Sequence, residues 1–131
     1  MYYIILAAVI ALDQLVKFVV RASLAVSESI PVIPGIFHIT YVRNTGAAFS
    51  IFAGHRLLLI ALPVLLIVGI IIFIAKNRRT ESPAVLWSLA LIGSGGVGNL
   101  IDRFVFGYVT DMFDFRIWPV FNVADIAVCG G

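Results

Sequence analysis

Charged side chains are scarce in this sequence. Only 12% of its 131 residues are Asp, Glu, Lys or Arg, and the formal net charge is +2. No Lys/Arg run forms a basic stripe, which argues against nucleic acid as a partner. Cysteine is reduced to a single residue, Cys129, which excludes an internal disulfide and a thiolate metal cluster. Its apolar surroundings predict a buried, inert thiol. Neither H-E-x-x-H nor G-x-S-x-G occurs, and there is no internal repeat or low-complexity tract. What the chain has in abundance is apolar surface: it is 62% hydrophobic, with a mean hydropathy of +1.11. A soluble domain of this size could not bury so much, so lipid is the expected solvent. The length suits one compact domain.

Segments 2–22, 57–75, 84–103 and 121–131 read as membrane spans. The second, LLLIALPVLLIVGIIIFIA, has no charged or amide side chain and is long enough to cross a bilayer. Membrane helices tolerate its Pro63 and Gly69. The fourth is short: 11 residues rise only about 16 Å as helix, half a hydrocarbon core. The expectation is that this span is incomplete and the chain cut short. A cleavable signal peptide ending near Ala25 is disfavoured, because the first span lacks a basic start and carries Asp13, Gln14 and Lys17. The loop KNRRTESP (76–83) sets Lys76, Arg78 and Arg79 against Glu81, which places it in the cytoplasm. Loops 22–56 and 102–120 then face outward, and both termini face inward once the fourth helix is complete. Pro and Gly punctuation in IPVIPGIFHITYVRN predicts short strands. The expected fold is an all-α polytopic membrane protein. It is a bundle of four transmembrane helices, the fourth truncated, with a small extracytoplasmic β element, all in one membrane-embedded domain over 1–131.

Several polar groups interrupt these spans. GSGGVG (93–98) matches G-x-G-x-x-G, but no strand precedes it and it lies within a span, so close helix packing explains it better than a nucleotide site. Asp13 and Lys17 are four apart and share a helix face. An ion pair with Lys17 snorkelling outward is the structural reading; direct chemistry is the alternative. Asn99, Asp102 and Arg103 form a polar corner at the outer end of the third span, either an interfacial anchor or a set of groups orienting catalytic carboxylates. VRNTGAAFS (42–50) puts Asn44 ahead of a small-residue turn containing Gly46, where another backbone or a ligand can approach.

Asp111 and Asp114 lie in the apolar loop YVTDMFDF, and Asp125 lies one turn into the fourth span. The third span ends and the fourth begins at the same face, so Asp111 and Asp125 can meet there. Two carboxylates in a dry site share a proton. Such a dyad suits peptide hydrolysis: the ionised partner takes a proton from water while the neutral one polarises the carbonyl. An ionisable residue within the membrane is a functional candidate by default. The alternative is a buried Asp bonded to Asn122 or to backbone. His38 and His55 read as surface or interfacial residues. A Ser–Lys pair from Ser50 or Ser94 with Lys17 has no supporting spacing, and nothing marks the carboxylates as a metal site.

The stretches DQLVK (13–17), VRNTGAAFS (42–50), GGVGNLIDR (95–103), VTDMFDF (109–115) and FNVADIA (121–127), in this order, resemble the type II, or lipoprotein, signal peptidases of bacteria. They span nearly the whole chain. The resemblance implies an aspartic endopeptidase of the bacterial cytoplasmic (inner) membrane, with four membrane helices and its site near the outer face. Its substrates would be prolipoproteins carrying diacylglycerol on a cysteine, cut on the amino side of that cysteine. It implies catalytic roles for Asp111 and Asp125 and none for Asp114. Asn44, Asn99, Arg103 and Asn122 match positions that line or brace the site, with Gly46 grouped beside Asn44. Asp13 and Lys17 match the polar pair of the first helix. Sensitivity to globomycin-type cyclic peptides follows from the resemblance. Contact with membrane lipids, a monomeric state and the absence of any cofactor or metal complete the expectation. The competing class is a proton-coupled transporter or channel subunit, with Asp13, Lys17, Asp102, Arg103 and Asp125 as a relay. Against it, these charges gather at one face and the second span offers none.

Overall fold

The computed structural model describes residues 1–47 and 51–131. Its elements are α1 (Tyr2–Ser23), β1 (Ser29–Ile33), β2 (Phe37–Asn44), α2 (Arg56–Asn77), α3 (Pro83–Phe106), β3 (Val109–Asp114) and α4 (Val123–Gly130). The chain is mostly helical with one small sheet. Among the described residues three helices, α1, α2 and α3, are long and apolar enough to cross a membrane. At 22 residues, α2 runs about 33 Å, the thickness of a hydrocarbon core. Side chains such as Ile4, Leu57, Leu65 and Phe104 point away from the protein and are largely exposed, as lipid-facing positions should be.

Local chemistry sets the helix ends. Ser82 caps α3 by accepting from the Val85 N–H, with Pro83 in the first turn, where its missing N–H costs nothing. Gly107 ends α3 in the left-handed region, φ 79°, donating its N–H to the Arg103 carbonyl. The helix therefore runs a turn past the predicted end at 103, and Asn99 and Arg103 sit inside it rather than at its terminus. The fourth segment starts as helix only at Val123: Phe121 bridges to Phe113, and Asn122 is the cap.

α3 is the central helix, with α1, α2 and α4 packed on it. The glycine run 93–98 makes this possible. A Cβ on Gly95 would run into the Ala124 carbonyl and come within 2.6 Å of Val128 Cγ2; one on Gly98 would lie 2.5 Å from Asp13 Oδ2. The sequence expectation of close packing through small residues is met. One apolar cluster, built on Ile70, Ile74, Leu86 and Ala90, binds α2 to α3 near the 78–82 turn. A second, Val20, Tyr41 and Met112, joins the end of α1 to the sheet.

The sheet has strand order β1-β2-β3, all antiparallel, with Val42 opposite Asp111 and Asn44 opposite Val109. β1 and β2 fall within the predicted strand region. β3 corrects the sequence reading, which treated 109–114 as loop. Its pattern shows no apolar–polar alternation because both faces are buried, and the polar side chains there are engaged in bonds. Because α1 and α3 pack against β3, and the chain entering α4 bridges to β3 through Phe121, one end of the bundle collects the groups considered next.

Candidate functional site

Asp111 and Asp125 arrive from different elements, the first on β3 and the second in the first turn of α4. Asn122 holds both. Its Nδ2 donates to Asp111 Oδ1 at 2.8 Å, and its backbone N–H donates to Asp125 Oδ2 at 3.1 Å. In return the Asp125 N–H donates to Asn122 Oδ1 at 2.8 Å, completing a capping box. The start of the helix thus fixes the Asp125 carboxylate. Asn99 adds a second brace: its Nδ2 donates to Asp125 Oδ1 at 2.9 Å, while its Oδ1 accepts from Asn122 Nδ2 at 3.0 Å. The bonding of Asp125 to Asn122 that the sequence offered as the alternative is present, and the same Asn122 also binds Asp111.

Asp111 is 2% exposed. Burial, reinforced by the negative charge of Asp125, pushes its carboxyl up to about 7; hydrogen bonds from Asn122 and Asn44 and the charge of Lys17 pull the other way. Near neutral pH Asp111 can therefore keep its proton. Arg103 lies in the electrostatic field of both acids. Its Nη2 donates to the Gly46 carbonyl at 3.2 Å, tying α3 to the turn after β2. Asn44 shapes that turn, accepting from the Gly46 N–H at 2.9 Å and donating to the Ala47 carbonyl at 3.2 Å. Asn44, Asn99, Arg103, Asp111 and Asp125 border a cavity of about 1050 Å³ that Arg43 also lines and whose other walls are mostly apolar, with Leu62, Leu66 and Ile67 from α2 and Ile126 and Val128 from α4.

Beside the acids lies a buried ion cluster. Lys17 Nζ is 2.8 Å from Asp13 Oδ2 and 3.4 Å from Asp102 Oδ2, with all three side chains at most 1% exposed. Asp13 Oδ1 also accepts from the Ala124 N–H at 2.9 Å, and Asp102 Oδ2 from the Thr110 N–H at 2.9 Å. Two carboxylates of the bundle thus satisfy the first turn of α4 and the backbone of β3. The predicted Asp13–Lys17 pair is present, but Lys17 turns inward rather than snorkelling out, because carboxylates on both sides compensate its burial.

A family model described as Signal peptidase (SPase) II matches residues 5–131. A lipoprotein signal peptidase of Halothermothrix orenii is 52% identical over 131 residues, covering all of this chain and 89% of that protein. One from Moorella thermoacetica is 48% identical over 124 residues, covering 94% of this chain and 81% of that protein. The chain belongs to the signal peptidase II family. A bacterial membrane enzyme solved in meso at 2.3 Å resolution superposes with a TM-score of 0.91 at 28% identity, covering 98% of this chain and 80% of that one. A second, at 1.9 Å resolution, gives a TM-score of 0.86 at 28% identity, with coverage of 98% and 84%. Membership makes the chain a peptidase, and its three membrane-capable helices fit a multi-pass inner-membrane protein. The transporter reading finds no support.

Most residues singled out in this signal peptidase II sequence converge. Asp111, Asp125, Asn44, Asn99 and Arg103 line one side of the cavity, with Asn122 buried behind the two acids, Gly46 bonded to Arg103, and Asp13 and Lys17 adjoining. Asp114 stands apart. Three residues from Asp111 on a strand, it faces the other way, accepting from Thr40 Oγ1 at 2.7 Å and Arg116 Nη1 at 2.8 Å. Burial would raise its carboxyl, but these bonds and the Arg116 charge hold it below the usual range. Ser94 donates to the Ala90 carbonyl, so it makes no Ser–Lys pair; Ser50, with Ala48 and Phe49, lies outside the described residues. Among the described residues no cluster of His, Cys, Asp and Glu is placed to hold a metal ion. Cys129 corrects the expectation of a buried thiol: it is exposed and lines the cavity one turn beyond Asp125. Sequence reasoning missed Arg21, which donates to Thr110 Oγ1 at 3.1 Å and lies 3.9 Å from Asp102 Oδ1. The signal was there: Asp13, Lys17 and Arg21 repeat every four residues along one face of α1.

Proposed function

We propose that this chain is a membrane aspartic endopeptidase that releases signal peptides from diacylglyceryl-modified prolipoproteins, cutting on the amino side of the lipidated cysteine. Its family supplies the substrate class. The observation that carries the catalytic type is the linkage of Asp111 and Asp125 through Asn122, at the border of a mostly apolar cavity. With Asp111 raised to about 7, the pair holds one carboxylate and one carboxylic acid at neutral pH. The carboxylate removes a proton from a water placed between them as its oxygen attacks the scissile carbonyl. The acid hydrogen-bonds to the carbonyl oxygen, giving a tetrahedral intermediate with no acyl-enzyme. Proton return to the leaving nitrogen completes cleavage. Which residue starts protonated is a property of the pair. The Arg103 cation and the amides of Asn44 and Asn99 favour the negative charge that develops.

The chain acts as one membrane-embedded domain, 1–131, with α4 packed on α3 beside the three long helices. The sheet lies on the extracytoplasmic side. Charge partition supports that orientation. Lys76, Arg78 and Arg79 against Glu81 leave +2 in the α2–α3 turn, which is the entire formal net charge. The six other basic residues are matched by six acids: Asp13, Glu28, Asp102, Asp111, Asp114 and Asp125. The sheet end is neutral, and the excess positive charge belongs inside. The 22–56 loop would shape the cleft for an extended substrate segment, with the diacylglyceryl chains left in the bilayer. Globomycin-type cyclic peptides would compete for this cleft, and the enzyme would act as a monomer in contact with membrane lipids.

The test is cleavage of a diacylated prolipoprotein in detergent or bilayer by this chain and by its Asp125→Asn variant. Product that vanishes with Asp125→Asn supports the reading. Undiminished cleavage by a folded Asp125→Asn protein ends it.

A further inference from the structure

We propose that Lys17 is a positioning residue for peptide cleavage, acting on Asp125 through the Asn99 carboxamide. This rests on the reading of Asp111 and Asp125 as the catalytic pair.

Lys17 Nζ has three N–H donors, and the carboxylates of Asp13 and Asp102 take two of them, with the Gly98 carbonyl at 3.5 Å. Asp13 and Asp102 face it, and Arg21 faces Asp102, so the cluster of two cations and two anions is already balanced. The further contact is to Asn99 Oδ1, at 3.0 Å. A carboxamide can turn by half a rotation, presenting either its oxygen or its NH₂ to a neighbour. Asp125 needs the NH₂, which donates at 2.9 Å. An ammonium has donors only, so it accepts nothing but the oxygen end of Asn99. Asn122 Nδ2 donates to the same oxygen at 3.0 Å. A flipped Asn99 would set its NH₂ against two donors and its oxygen against a carboxylate. Lys17 makes that state costly in a site without competing water. Its positive charge also reaches Asp111. The charged groups facing this junction are Asp13, Lys17 and Arg21 from α1, Asp102 and Arg103 from α3, Asp111 from β3 and Asp125 from α4.

The test uses Asp13→Asn/Lys17→Met, which removes one charge of each sign and keeps the unbranched stem. Steady-state cleavage of a diacylated prolipoprotein is followed against pH, with thermal unfolding in the same detergent and Asp111→Asn run alongside. The expected result is a folded protein whose kcat falls roughly 10-fold or more with KM within about twofold. The acid limb of its kcat profile moves up by roughly half a pH unit or more, because a cation near the pair is gone. Wild-type kcat and an unmoved limb would overturn the proposal, leaving Lys17 as a structural ion. Should the double variant fail to fold, Asn99→Ser keeps the Lys17 cluster and removes only the amide. A kcat loss of the same size supports the relay, and wild-type kcat overturns it, since Lys17 then has nothing to act through. An active Asp111→Asn would instead show that the catalytic pair itself is misassigned.

Discussion

Replacing Asp111 by Asn should remove cleavage and stabilise the fold at once. The ordinary aspartate value of 3.8 rises to about 7 in the folded protein through burial and the neighbouring Asp125. An acid whose folded value is raised binds its proton more tightly folded than unfolded. Its contribution to stability is complete below 3.8 and is lost as pH rises through about 7. Roughly three pH units of difference, at about 1.4 kcal/mol each, put the cost of the ionised carboxylate near 4 kcal/mol. Asn occupies the same volume, still accepts from Asn122 Nδ2, and carries no charge to desolvate. The Asp111→Asn protein should therefore gain about 1–2 kcal/mol over wild type at pH 5, rising to about 4 kcal/mol by pH 8. Unfolding in a fixed detergent across pH 5–8 measures this, and prolipoprotein cleavage on the same samples measures the expected loss of roughly 10²-fold or more. A gain that does not grow with pH, or none at pH 8, would mean Asp111 ionises at no cost. Proton sharing between the two acids would then have no basis.

Asp114→Asn should differ in sign and in window: its carboxyl is held below 3.8 in the folded protein, so the variant loses stability against wild type as pH rises toward 3.8 and by a constant amount above it. It should keep cleavage within about threefold of wild type, and a loss equal to that of Asp111→Asn would show the wrong acid had been chosen. Gly98→Ala places a methyl 2.5 Å from Asp13 Oδ2 and 3.1 Å from Asp13 Cγ, in a carboxylate held by Lys17 and the Ala124 N–H. It should cost about 2 kcal/mol or more, read as a lower unfolding temperature; an unchanged temperature would show that α1 can shift freely. Cys129 should react with N-ethylmaleimide in the folded protein and slow cleavage by crowding the cavity. Full activity at complete modification would show that substrate does not pass that side of α4.

The spans were legible because lipid demands long apolar runs, and the runs at 57–75 and 84–103 differ from α2 and α3 only at their ends. Those ends depend on single residues. Gly107 takes the left-handed conformation one turn beyond Arg103, and Asn122 replaces the first predicted turn of the fourth segment with a cap. The acids of the proposed pair were legible as polar residues in apolar surroundings. β3 was not, because strand recognition relies on one face being wet. Val109–Asp114 is buried on both faces, between the ion cluster and the site, so its polar residues are consumed by partners distant in sequence: Thr110 by Arg21 and Asp102, Asp111 by Asn122, Asp114 by Thr40. The direction of Lys17 was hidden for a related reason. Even paired with Asp13, a lysine in a span is expected to reach for the interface. Asp102, 85 residues away in sequence, makes the inward direction the stable one. The local pair with Asp13 was legible, but the second carboxylate that holds Lys17 inward is delivered by the fold. The same logic lets a membrane bundle keep six acids at one end without a net charge there.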